Sequence, residues 1–280
     1  MKLHFVSAHS KIGPMRKTIG LADGSSRSYP LAAKLTSYEA ELNVEEEGLA
    51  GYRELLLENA RYGRALYKGL FIRPLAHESR RNMTDQDART EFMVLDVDGL
   101  KLEGELKERY RSSDVKQVAE SVIEMLPTDL HNVSYVAMAS SSFGLNQDEV
   151  SVHIHFLLEN SVSPRALKEW LTSLNYSQSD IYNRLKLTKT KTRLKSVIDP
   201  CLAEPARLIY IAPPSFGPKR TNPFINDDER FVLVKKGKEL LNLDPLLEAV
   251  HDKMDAINQI RDTKIKELQQ EAGIVRHKPK

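Results

Sequence analysis

The sequence predicts an α+β fold built on a mostly antiparallel sheet. Three observations predict it. Short runs alternate apolar and polar residues, amphipathic segments with apolar residues three and four apart lie between those runs, and two strand-like runs are joined by a polar turn as a hairpin. Strands mixed with helices, with at least one hairpin, indicate an antiparallel sheet rather than a regular βαβ succession.

From Leu3 to about Thr36, apolar and polar positions alternate between Gly20, Gly24 and Pro30, which predicts short strands and turns. From Glu39 to Arg64, Leu49, Tyr52, Leu55, Leu56 and Ala60 recur at helical spacing. Ala65 to Leu70 reads as a short strand, and Phe92 to Asp98 as an apolar strand that ends in carboxylates at an Asp-Gly turn. A helix from about Ser113 to Met125 carries Val115, Val118, Val122 and Ile123, and Pro127 marks its end. The hairpin follows, with strands Val133–Ala139 and Ser151–Leu158 and a turn from Phe143 to Glu149. Pro164 opens a helix to about Leu174, with a short helix near Ser179. Ser196–Asp199, Leu208–Ala212 and Phe231–Val234 are further strand candidates. Asp244 to Glu271 reads as one long helix whose apolar stripe packs on the core or on another helix, and the last nine or so residues are expected to fray.

With 280 residues, 41% hydrophobic and 29% charged, the chain can bury a large core and is neither disordered nor fibrous. Its 41 basic and 39 acidic residues nearly balance, so only local clustering can indicate an anionic partner. The single cysteine, Cys201, excludes an intrachain disulfide and a Cys-rich zinc site. No signal-type apolar core opens the chain, and no run approaches the roughly 20 apolar residues of a membrane span, so a soluble intracellular protein with no membrane partner is expected.

Five stretches carry chemistry. In Asp96-Val97-Asp98, strand alternation points both carboxylates to one face, where they suit a hard divalent cation with oxygen ligands. Ser140-Ser141-Ser142-Phe143-Gly144 can offer hydroxyls and backbone N–H groups to phosphate oxygens. Ser151, His153 and His155 share one strand face, and Val197-Ile198-Asp199 supplies a third carboxylate that could complete a two-cation site. Just before it, Arg184, Lys186, Lys189, Lys191, Arg193 and Lys195 form a basic stretch without an acid, suited to tracking a single strand's phosphates.

This ordered set resembles the archaeo-eukaryotic primase superfamily, whose motifs are an acid-x-acid pair, a small-x-His strand and a hydrophobic-acid strand. They read here Asp96-Val97-Asp98, Ser151-Val152-His153 and Ile198-Asp199. The flanks are similar to those of phage and plasmid primase-polymerases: Leu66-Tyr67-Lys68-Gly69, then Glu78-Ser79-Arg80, and Asp199-Pro200 leading to Tyr210-Ile211-Ala212-Pro213-Pro214. The resemblance covers about residues 1–235. It implies an RRM-like catalytic sheet with flanking helices, an N-terminal α/β portion to about residue 90, a motif-bearing core over about 91–235 and a helical tail over 236–280. It implies that Asp96, Asp98 and Asp199 bind two Mg²⁺ or Mn²⁺ ions for template-directed nucleotidyl transfer. His153, Ser141 and Ser142 would hold the phosphates of an NTP or dNTP, with Lys68, Arg80 and Arg207 as further phosphate or template contacts. The implied partners are a single-stranded DNA template and a helicase module, in the same protein or in trans, in the cytoplasm of a bacterial or phage-infected cell. His155 departs from the pattern, so the two histidines are not ranked by the motif alone.

Other readings compete. His153-Ile154-His155 is also a His-hydrophobic-His triplet, as in HUH-type replication initiators and relaxases that nick single-stranded DNA. Tyr176 or Tyr182 would then be the nucleophile and both histidines would hold the metal. Val94 to Gly99 could open a haloacid-dehalogenase-type phosphatase with Asp96 as nucleophile, but the long region before it and the hairpin fit poorly. A nucleic-acid-binding module with a degenerate site is the non-enzymatic alternative, against which the intact acids argue.

Overall fold

The computed structural model describes residues 1–101, 103–111, 114–145 and 149–274. It is an α+β protein with antiparallel sheets and helices on both faces of the largest. That sheet has the 14-residue strand Glu149–Val162 as its spine. On one side the spine pairs antiparallel with Thr90–Lys101, His153 standing opposite Asp96 and Ser151 opposite Asp98. On the other it pairs antiparallel with Tyr135–Ala139, confirming the hairpin, and Phe231–Val234 extends that edge. Leu240–Leu241 adds a parallel pair farther along the spine.

Burial on both faces explains why Phe92–Leu95 of the neighbouring strand reads as an unbroken apolar run. One face carries Met93, Leu95, Val97, Val152, Ile154 and Phe156 against helices Val115–Ile123 and Pro164–Ser177. The other carries Phe92, Val94, Val136, Met138 and Leu157 against Leu3 and Phe5 and against Leu49, Tyr52 and Leu56 of the helix Val44–Arg61. Each such side chain contributes about 1.5–3 kcal/mol on burial, so both faces are anchored and the register between the central strands is tightly held.

A second, four-stranded antiparallel sheet runs in the order Leu208–Ile209, Ala65–Tyr67, Lys2–Ala8, Leu35–Glu41. A small sheet of Ser215–Phe216, Thr18–Ile19 and Ser26–Arg27 stands beside them. Because Leu208–Ile209 returns to the N-terminal sheet, the segment around Tyr210 is carried beside Asp96 and His153 of the central strands.

Several sequence expectations shift. The first helix starts at Val44 rather than Glu39, since Leu35–Glu41 pairs along its whole length with Lys2–Ala8. The Asp96 strand does not end at Asp98. It runs to Lys101, and Gly99, at φ +91°, sits where the pairing register shifts between Ser151–Asp98 and Val150–Leu100: a β-bulge instead of a turn. Ser196–Asp199 is not a strand but makes a single bridge, Ile198 to Val97. The ladder stops there because Pro200 has no N–H and Asp199 caps the short helix Pro200–Ala203. The long tail helix is two helices, Asp244–His251 and Met254–Glu271, both packed on Pro164–Ser177. A straight rod of that span would be about 42 Å long, twice its support. Leu240–Leu241 lies in the central sheet, so the tail expected from residue 236 begins within it. Ser113, residues 146–148 of the turn and residues 275–280 of the frayed end lie outside the described residues. Among the described residues no helix is long and apolar enough to cross a membrane.

Candidate active site

Register is what assembles the site. Asp96 and Asp98 project from the Asp96 strand to the face opposite Val97, and His153 and Ser151 project beside them from the spine. Asp96 Oδ1 lies 3.2 Å from His153 Nε2. Ser151 Oγ is 2.5 Å from Ser140 Oγ and 2.7 Å from Ser142 Oγ, so three hydroxyls form one cluster at the start of the serine turn. Asp96, Asp98, Ser140, Ser142, Ser151 and His153 line a common pocket, closed by Lys17, Tyr29, Leu202 and the segment Leu208–Tyr210.

The bulge keeps Asp98 turned to solvent, with 61% of its side chain exposed, and brings Lys195 Nζ to 3.9 Å from its carboxylate. A Cβ on Gly99 would lie 2.6 Å from that ammonium. The concave walls still desolvate Asp98 beyond direct contact, and this raises its carboxyl above the usual range. Lys195 opposes the rise, and Asp96 and Glu149 add to it. Glu149 is pushed up by burial, but Lys186 at 2.8 Å and Lys195 at 3.4 Å prevail, and its carboxyl ends below the ordinary value.

The two histidines separate clearly. His153 is on the pocket wall, its Nδ1 buried without a hydrogen-bond partner among the described residues. His155 is fully buried, with Nδ1 3.0 Å from the Tyr52 hydroxyl. Burial, with His153 and Lys68 nearby, holds its imidazole well below the usual pKa, so it is neutral. Although the two share one strand face, His153 lines the pocket and His155 is enclosed in the core. They do not jointly face an open metal position, and Tyr176 and Tyr182 are partly buried in the packing of the helical face.

Asp199 reaches the site through its backbone. Its N–H donates to Asp96 O, and Asp98 N–H donates to Val197 O, both at 3.0 Å. Its carboxylate turns away to accept from Cys201 N–H at 2.9 Å. Among the described residues, no three His, Cys, Asp or Glu side chains converge as a ready metal cluster. The donor set does fit a hard ion: two carboxylates beside one another, opening to water and to a phosphate-sized space, are what Mg²⁺ or Mn²⁺ uses when substrate completes its shell.

The remaining expected contacts are dispersed. Ser141 Oγ is 2.6 Å from the Tyr29 hydroxyl, behind the pocket wall. Lys68 is not at the surface: it is buried, donating to Thr90 Oγ1 at 2.5 Å and Phe92 O at 2.7 Å, and burial drops its amine to about 7. In that position it presents no charge to a template. Arg80 is half-buried near Tyr67 and Tyr210, and Arg207 donates to Cys201 O while pairing with Glu204. In the basic stretch, strands Lys186–Leu187 and Leu194–Lys195 pair as a hairpin. Arg184 is held by Glu103, and Lys186 and Lys195 by Glu149, while Lys189, Lys191 and Arg193 are exposed at its end.

Three site residues escaped sequence reasoning. Tyr29 stacks on Tyr210 with ring centroids 3.6 Å apart, and Lys17 Nζ lies 4.8 Å from the Tyr29 ring. Burial pushes the Tyr29 hydroxyl up to about 12. Arg230, with 1% of its surface exposed, donates to Ser140 O at 2.6 Å from behind the serine turn. Its Nη1 has no hydrogen-bond partner among the described residues, and burial lowers the guanidinium to about 10. No local motif marks these residues; an unusually acid-poor stretch around Lys17 was the one available signal.

No protein-family model matches the chain, and no curated protein does. Among solved structures, the crystal structure of primase RepB' matches at 8% identity with a TM-score of 0.32, covering 97% of this chain and 64% of that one. The polymerase domain from Mycobacterium tuberculosis Ligase D, in complex with DNA, matches at 13% identity with a TM-score of 0.35, covering 93% of this chain and 85% of that one. The chain therefore spans less than two thirds of the length of the RepB' chain. These neighbours are a primase and a polymerase, but likeness at this level carries no argument, and the functional reading rests on the site.

Proposed function

We propose that the chain is a nucleotidyltransferase of the primase-polymerase type, acting on nucleoside triphosphates and a single-stranded DNA template. One observation carries the reading: the register that sets Asp96 opposite His153 and Asp98 opposite Ser151 gathers two carboxylates, an imidazole and a hydroxyl cluster in one pocket. Carboxylates beside phosphate-type donors are the combination that phosphoryl chemistry requires and that a structural turn does not.

In this reading Asp96 and Asp98 hold the divalent ions, whose chemistry when bound is to neutralise phosphate oxygens and activate the attacking hydroxyl. Asp199 joins them if its carboxylate leaves the Cys201 N–H. His153 donates from Nε2 to a triphosphate oxygen in place of Asp96, and Ser142 and Ser151 donate hydroxyl protons beside it. The 3′-oxygen forms a bond to the α-phosphorus as the bond to the bridging oxygen breaks and pyrophosphate leaves. The buried guanidinium of Arg230 adds fixed positive charge behind the hydroxyls that face the phosphates.

Primer extension and de novo synthesis on single-stranded DNA, with Mg²⁺ or Mn²⁺, test this. Incorporation by the wild type and its loss in Asp96→Ala/Asp98→Ala are expected. No incorporation with either ion, or an unchanged rate in the double variant, would overturn the assignment.

A further inference from the structure

We infer that the small sheet of Thr18–Ile19, Ser26–Arg27 and Ser215–Phe216 is a binding surface for a nucleic-acid backbone, the second basic element at the pocket besides the Lys186–Lys195 hairpin. The choice of partner rests on the nucleotidyl-transfer reading.

The surface is built from two distant stretches that are both almost free of acid. Between His9 and Tyr38 the one carboxylate is Asp23, and between Ala212 and Asn226 there is none. Asp23 is taken up by Ser25, whose N–H and hydroxyl donate to it at 2.9 and 2.6 Å. The sheet brings the cations of these stretches together. Arg27 is the pairing partner of Thr18, which follows Lys17. Lys219 N–H donates to Gly20 O, and the Arg220 side chain lies over Gly20, where a Cβ would stand 2.6 Å from its Cγ. Arg27, Lys219 and Arg220 are exposed, and among the described residues none of them has a carboxylate partner within ion-pair distance.

Like charges gathered without counter-charge repel one another, which an array of phosphates relieves. Thr18 and Ser26 of the same sheet carry hydroxyls, the usual companions of Arg and Lys on phosphate oxygens. The surface is continuous with the site: Lys17 lines the pocket and acts, as Lys195 of the hairpin does, on the Asp98 carboxylate. A strand bound to both basic elements would run past the carboxylates.

Fluorescence anisotropy of a labelled single-stranded DNA 25-mer over a salt series tests this, with Arg27→Ala/Lys219→Ala/Arg220→Ala against Lys116→Ala/Lys253→Ala, two exposed lysines on other elements. The triple variant is expected to bind at least tenfold more weakly at 0.1 M salt. Its slope of log K against log salt should shrink by about 2, at roughly 0.7 per lost phosphate contact, while the control changes little. An unchanged slope, or an equal loss in the control, would overturn the inference. Asp96→Ala/Asp98→Ala separates the two proposals, because it should retain DNA binding. Binding that depends on this surface without any synthesis would sink the catalytic reading and leave this one standing; synthesis with binding indifferent to the triple variant would do the reverse.

Discussion

Asp96 and His153 face one another across two antiparallel strands, Oδ1 to Nε2 at 3.2 Å, while the other ring nitrogen of His153 is buried without a partner among the described residues. Asp96 is thus the one polar contact orienting this imidazole among the described residues. If His153 holds phosphates rather than moving protons, His153→Ala should raise the nucleotide KM at least tenfold, about 1.4 kcal/mol of binding, with kcat changed much less. A fall in kcat at constant KM in steady-state extension assays would assign it a different role.

Asp98 sits where function and stability oppose each other. Burial raises its carboxyl, with Asp96 and Glu149 adding to the rise against Lys195. A carboxyl raised on folding takes up protons more readily in the native state, so ionising it above its folded pKa costs stability. Asp98→Asn should therefore abolish extension while leaving the melting temperature equal or higher at pH 7.5. A markedly lowered melting temperature would show that Asp98 holds the bulge together.

Two buried bases give the fold a pH dependence of one sign. Lys68 falls from 10.5 to about 7 through burial, and His155 falls well below 6.5 for the same reason. In both cases the unfolded chain holds a proton that the folded chain has released, so stability rises with pH across each window. For Lys68 the window is about pH 7 to 10.5; for His155 it lies below 6.5. Urea unfolding midpoints should climb from pH 7 to 9 in the wild type, below the range in which Tyr29, Tyr52 and Tyr110, raised by burial, oppose the trend. Lys68→Met should be more stable at pH 7.5 and flat across that range, with the acid-side slope from His155 retained; an unchanged slope would place the ammonium in solvent.

The parts of the site legible in the sequence are those carried by one strand's alternation: Asp96 with Asp98, and Ser151 with His153. The hairpin and the helices Val115–Ile123 and Pro164–Ser177 were legible for the same reason, since each period is local. What could not be read depended on partners distant in the chain. Tyr29 meets Ser141 across 112 positions, and Lys68, which the flanking motif marks as a phosphate or template contact, instead donates to Thr90 and Phe92 in the interior. The Asp-Gly pair reads as a turn by composition, and only the facing strand makes it a bulge. Asp199-Pro200 reads as a strand end, but its carboxylate is engaged locally by Cys201 N–H.

Asn175 decides how firmly that third acid stays at the site. It is 1% exposed within the helix Pro164–Ser177; its Oδ1 accepts from Val197 N–H at 2.9 Å and Ile198 N–H at 3.1 Å, and its Nδ2 donates to Ile198 O at 2.9 Å. One amide thus satisfies the backbone that the single Ile198–Val97 bridge leaves unpaired, pinning the segment before Asp199 to the edge of the Asp96 strand. Asn175→Ala strands two buried donors and one acceptor, at about 1–3 kcal/mol for each group that water does not reach. The variant should unfold at clearly lower urea, and Asn175→Asp should not restore it, because a carboxylate cannot donate to Ile198 O. If Asp199 takes part in catalysis, extension by Asn175→Ala, measured well below its unfolding midpoint, should fall at least tenfold. Full activity in the folded variant would separate Asp199 from the chemistry and leave Asp96 and Asp98 as the catalytic carboxylates.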